Sequence, residues 1–86
     1  MDELESKCSE IVLRVATEKG IAIQNVAPNM KLIQEIGLKS MDLARIIALL
    51  EGEFHVDPFA ELVPITSIRT VSDLANAYQQ AIDATE

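Results

Sequence analysis

The chain has a single cysteine, no tryptophan, three glycines and three prolines, and its aromatic residues stop at Phe54, Phe59 and Tyr78. Cys8 has no partner for an internal disulfide, and one thiol cannot build a multi-thiolate zinc site. That cysteine usage points to an intracellular, cytoplasmic setting. No apolar run approaches the roughly 18 residues that span a bilayer. The start, Met-Asp-Glu-Leu-Glu, is acidic where a secretory leader needs basic residues followed by an apolar stretch. Neither export nor membrane insertion is expected. Positive charge is scarce as well, with 7 Lys and Arg against 14 Asp and Glu, a formal charge of -7. Such a surface repels nucleic acid and anionic membranes, which leaves basic protein surfaces as the favoured partners.

What is present fits one small helical domain over residues 1–86. Apolar residues make up 49% of the chain and charged residues 24%, too apolar a balance for a disordered tail. A chain of this length buries only about 60% of its unfolded surface and has little room for a deep catalytic cleft. With so few aromatics, its core must be aliphatic. Leu4, Cys8, Ile11, Val12 and Val15 recur at spacings of three and four, one stripe of an amphipathic helix that Gly20 ends. Residues 20–39 form a long connection broken by Pro28 and Asn29. Its Ile21, Ile23, Val26, Met30, Leu32 and Ile33 are too apolar to hang in solvent and should lie against the core. The spacing of Met41, Ala44, Ile47, Leu50 and Phe54, with Leu43 and Ile46 on the shoulder, predicts the most apolar helix over Ser40–Phe54. Pro58 and Pro64 bracket a short helix at 59–63. Thr70-Val71-Ser72-Asp73 is a capping-box variant that opens a last helix striped by Val71, Leu74, Ala75, Tyr78 and Ile82. No strand-like alternation competes. The expected fold is all-α, a small four-helix bundle of three longer helices and one short one, up-and-down in character.

Catalytic arrangements fail on inventory, so the chain does not read as an enzyme. Cys8 sits on the apolar stripe and reads as a buried hydrophobe. His55 follows the end of the second helix, where an imidazolium meets the carbonyl end of the dipole. Glu51, Glu53 and Asp57 lack the glycine and closing glutamate of a calcium loop and read as a solvated face. Ser40 stands apart. Gly37 permits a tight backbone before it, and the serine opens a helix whose free amides and positive dipole end favour a negatively charged substituent. Two readings of Ser40 stand: a helix cap, or the bearer of a phosphate installed by another enzyme, since no base lies beside its hydroxyl.

Three stretches read together carry a resemblance: Leu32-Ile33-Gln34-Glu35-Ile36-Gly37-Leu38-Lys39-Ser40-Met41, then Leu50-Glu51-Gly52-Glu53-Phe54, then Ile68-Arg69-Thr70-Val71-Ser72-Asp73-Leu74. In sum they resemble the acyl carrier protein family, the phosphopantetheine-attachment carrier domain. The resemblance implies that a phosphopantetheinyl transferase attaches 4'-phosphopantetheine from coenzyme A to Ser40, and that the arm's thiol holds acyl groups as thioesters. The protein would then catalyse nothing itself and would raise the effective concentration of intermediates at acyl-loading and acyl-processing enzymes. The family's docking surface begins at the serine and meets basic patches. It implies partner-binding roles for Leu38, Lys39, Met41, Asp42, Arg45, Glu51 and Glu53, in a segment (35–61) with six acids and two bases. A monomer is the default for such a carrier.

The chain departs from the fatty-acid-synthesis pattern. The usual Asp-Ser-Leu is Lys39-Ser40-Met41, Arg45 stands where an acid is common, and Leu43 replaces a residue that is often polar. These changes make the surface beside the serine less acidic and more apolar, which implies a dedicated pathway carrier with its own partners, closer to polyketide or peptide-synthesis carriers than to fatty-acid ones. An aminoacyl or peptidyl carrier is the alternative of the same class. From another class comes a helical interaction module in which Ser40 only caps, where Ser40→Ala would cost about 1 kcal/mol and leave function intact. Ala44, Ala48, Ala75 and Ala77 could open a slot for cargo in the bundle, but close packing is the expectation.

Overall fold

The computed structural model describes residues 3–59 and 67–85. Three long helices carry the fold: α1 (Glu3–Glu18), α2 (Ser40–Phe54) and α3 (Val71–Thr85), with a π-helical turn at Leu32–Ile36 as the fourth helical element. The all-α expectation holds, and among the described residues the sole strand-like contact is the isolated bridge between Lys31 and Thr70. The short helix expected at 59–63 lies, beyond Phe59, outside the described residues. The short helical element that is described sits instead in the connection read as irregular. There Leu32 and Ile36 are buried on one side of a single turn, which is too brief to leave a periodic signal.

The ends of α1 and α3 form as their residues dictate. Gly20, at φ 92°, takes the left-handed conformation just past α1. At α3 the capping box closes in both directions: the Asp73 amide donates to Thr70 Oγ1 at 3.1 Å, and the Thr70 amide donates to Asp73 Oδ2 at 3.0 Å. Helix directions follow from contacts. Glu18 and Lys19, at the end of α1, pair with Arg45 and Asp42 near the start of α2, and Lys7 pairs with Glu53 near its end, so the two helices are antiparallel. An open groove at one end is lined by Leu4 and Lys7 of α1, Phe54 of α2, and Gln79 and Ile82 of α3. α3 therefore also runs against α1 and parallel to α2. This is the relation of the second and fourth helices in an up-and-down bundle, as expected; the short third helix that would lie between them falls outside the described residues.

The core is aliphatic around one ring. Cys8, Ile11, Val12, Val15 and Ala16 of α1, Ile46 and Leu50 of α2, and Val71, Leu74, Ala75, Ala77, Tyr78 and Ala81 of α3 are buried. Val26, Leu32, Ile36, Leu38 and Ile68 close it from the connections. The apolar connection thus lies against the core as expected, except for Ile33, which is 49% exposed on the outer side of the π-helical turn. The apolar face of α2 is also rotated from the expected stripe. Ile46 and Leu50 are its buried centre, flanked by Leu43, Ile47 and Phe54, whereas Met41 and Ala44 face solvent. With Ala48 exposed too, α2 contributes no small-residue slot at the interface where Ala75 and Ala77 are buried.

Candidate functional site

The site is built by the three residues that lead into α2, Gly37, Leu38 and Lys39. Gly37 ends the π-helical turn at φ 94° and ψ 20°, a conformation that L side chains resist, and it turns the chain sharply out of the core. Leu38 then dips back in, 1% exposed, with its amide donating to the Leu32 carbonyl at 3.1 Å. Lys39 is extended and occupies the N-cap position. A lysine has no acceptor to offer, so no side chain at that position caps the helix; instead the Asp42 carboxylate reaches back and accepts from the Lys39 amide at 2.8 Å. Ser40 is therefore the first residue inside α2. Its side chain is exposed, and its hydroxyl has no hydrogen-bond partner among the described residues. The geometry gives no support to Ser40 as the helix cap.

Two features make this position suit an anion. The first amides of α2 point outward with no intrahelical partner, at the positive end of the dipole. Lys39 stands beside them with its ammonium in no ion pair among the described residues. The adjacent acid is not available as a base for the hydroxyl: Asp42 is held below the usual carboxylate range, first by a hydrogen bond from the Lys19 ammonium and then by the Lys39 amide. Next to the serine, Met41 is 85% exposed.

The remaining sequence-predicted residues are distributed differently from a simple acidic face. Asp42 pairs with Lys19, Arg45 Nη2 with Glu18 Oε1 at 2.6 Å, and Glu53 Oε1 with Lys7 Nζ at 3.0 Å. The Lys7 ammonium is held above the usual lysine range, chiefly by the hydrogen bond it donates to Glu53. Leu38 is buried, so its side chain serves packing and not a docking face. Glu51 is half-buried on α2. Sequence reasoning missed Lys7, Glu18 and Lys19, because pairs across two helices leave no trace in the spacing of either one. Lower on α2, the Tyr78 hydroxyl donates to the Ile47 carbonyl at 3.1 Å, and its ring meets Phe54 and Phe59 at 5.8 and 6.1 Å. Burial, reinforced by the charges of Glu51 and Asp57, holds its proton well above the usual tyrosine range. His55 is exposed and closes α2 in the left-handed conformation at φ 59°.

The comparison with protein families covers most of the chain. The family described as "Phosphopantetheine attachment site" matches residues 9–78, a span running from α1 into α3 with Ser40 inside it. No solved structure gives a significant match. The residues present fit the group that the family carries: an accessible hydroxyl for a phosphodiester, and helix N-terminal amides and a lysine for its negative charge. When bound, 4'-phosphopantetheine supplies a terminal thiol on a long flexible arm. With the match covering most of its length, this chain belongs to the phosphopantetheine-attachment family, whose covalently attached cofactor is 4'-phosphopantetheine.

Proposed function

We propose that Ser40 is the attachment residue and that the protein holds acyl intermediates as thioesters, presenting them to the enzymes of a dedicated biosynthetic pathway of the polyketide or fatty-acid type. The observation that carries this is the exposed, unpartnered hydroxyl of Ser40 at the first residue of α2, inside the family match. The chain's own part is to hold that hydroxyl clear of the surface and to favour negative charge beside it. The proton must leave to a base of the modifying transferase, since Asp42 is engaged.

The surface that partners meet on this reading is not the acidic one of fatty-acid carriers. Pairing with α1 neutralises Asp42 and Arg45, leaving Lys39 as local positive charge and Met41 as an apolar knob. Partner enzymes would then meet the first two turns of α2 with an apolar depression, which exposed methionine fits well. Basic patches would have little to attract them there.

The test is intact-protein mass after incubation with coenzyme A, magnesium and a broad-specificity phosphopantetheinyl transferase. The wild type gains one phosphopantetheine and Ser40→Ala gains none. Because Ser40 does not cap the helix, Ser40→Ala stays within about 0.5 kcal/mol of wild-type stability. Absence of any gain by the folded wild type with several transferases overturns the proposal, as does a gain retained by Ser40→Ala.

A further inference from the structure

A groove of about 480 Å³ lies between the π-helical turn and the residues entering α3, lined among the described residues by Lys31, Ile33, Gln34, Ile68 and Arg69. Its volume falls within the range of small-molecule sites. Its two walls are held together by backbone: the Leu32 amide donates to the Arg69 carbonyl at 2.8 Å, Lys31 bridges to Thr70, and the Ser72 amide donates to the Pro28 carbonyl at 2.8 Å. Ile68 is nearly buried at 7% exposed, and Ile33 stands 49% exposed. The apolar lining is thus flanked by a lysine and an arginine.

In a chain of charge -7, two neighbouring cations need an account. Lys7, Lys19 and Arg45 are each matched by an acid. Among the described residues, neither the Lys31 ammonium nor the Arg69 guanidinium is in an ion pair. The nearest acids are turned to other work: Glu35 Oε1 accepts from the Lys31 backbone amide at 3.0 Å, and Asp73 Oδ2 accepts from the Arg69 amide at 2.9 Å. Each acid is oriented by a main-chain amide, and among the described residues neither reaches ion-pair distance of the Lys31 or Arg69 head, which leaves both heads accessible to an anion from outside.

The groove also lies within reach of Ser40. The Leu38 amide bonds the Leu32 carbonyl, and Ser40 is two residues further on, so the Ser40 Cα is no more than about 15 Å from the Leu32 Cα. From the Ser40 Cα to the thiol of a phosphopantetheine arm is a chain of about sixteen bonds, which extends roughly 18 Å at the advance of an extended backbone. We infer that this groove receives the free carboxylate of an acyl group carried at Ser40, and that it favours cargo of the dicarboxylic class, joined through one carboxyl as the thioester and ionised at the other. The inference rests on the carrier reading. An exposed ion pair of ordinary strength shifts groove occupancy up to about fivefold for each cation.

The test compares arms of equal carbon count. Nitrogen-labelled protein is loaded from succinyl- and from butyryl-coenzyme A, loading is verified by intact mass, and amide and Arg side-chain resonances are compared by NMR. The succinyl form shifts the Arg69 Nε–Hε and the Gln34 side-chain amide, together with the backbone of Ile33 and Ile68, and the butyryl form leaves Arg69 in place. The Lys31→Gln/Arg69→Gln variant loses the succinyl-specific shifts while folding as before, since only the backbone of these residues holds the walls together. Superposable spectra of the succinyl and butyryl forms overturn the inference and leave the carrier reading standing. Groove shifts produced by an added acidic peptide, but not by the succinyl arm, overturn it in favour of a protein ligand. Failure to load either arm defeats the carrier reading itself, and the inference with it.

Discussion

Substituting Gly37 tests how the chain is aimed into α2. At φ 94° this residue sits where an L side chain is strained, and a Cβ built there meets no atom within 4 Å, so the cost is backbone conformation alone and not a clash. L-alanine should therefore destabilise by about 1–2 kcal/mol. A domain of this length has a total stability of roughly 4–13 kcal/mol, which makes the loss a sizeable share. With a urea dependence of about 1 kcal/mol per molar, the unfolding midpoint falls by roughly 1–2 M. Two controls bracket the argument. Gly52, inside α2 with open space around it and no positive φ, should gain about 0.5–1 kcal/mol as alanine. D-alanine at position 37, introduced by chemical synthesis, finds the same φ comfortable and should match or exceed wild-type stability. Leu38 is anchored in the core and the Lys39 amide is tied to Asp42, so relief of the strain also displaces Ser40, and the L-alanine protein should be modified more slowly by the transferase than the D-alanine protein. An unchanged midpoint for L-alanine, or equal losses for the two enantiomers, would refute the reasoning.

Acid titration should expose the Asp42 pairing: its folded-state proton affinity is depressed, so its contribution is present above about pH 4 and is lost as pH falls through the folded value. Thermal unfolding across that range should fall less steeply for Asp42→Asn than for wild type. Tyr78→Phe removes the hydroxyl bond to the Ile47 carbonyl, which keeps its own helical donor, and should cost about 1 kcal/mol by urea unfolding while preserving the ring contacts. Because burial raises the Tyr78 proton affinity in the fold, its contribution is whole below about pH 10 and declines above it. The phenylalanine protein should lose less stability than wild type as pH rises past that point.

Local chemistry made much of this protein legible in its residues. The bounds of α2, the stop after Gly20 and the Thr70–Asp73 capping box depend on neighbours three or four residues apart, and each can be read without knowing what packs against it. The motif around Ser40 was legible for the same reason, since a glycine turn, a buried leucine and a helix start are consecutive. Other features required the tertiary structure. The facing of α2 turned on which side α1 and α3 approach, so Met41 and Ala44, on the expected stripe, were left in water while Ile46 became central. The charges of Asp42, Arg45 and Glu53 look like a docking face along the chain, yet antiparallel packing brings Lys19, Glu18 and Lys7 against them. The groove between Lys31 and Arg69 joins residues 38 positions apart through backbone bonds. Periodicity encodes what a residue needs from its own turn of helix, whereas the partner that supplies it across the bundle is decided only when the helices pack.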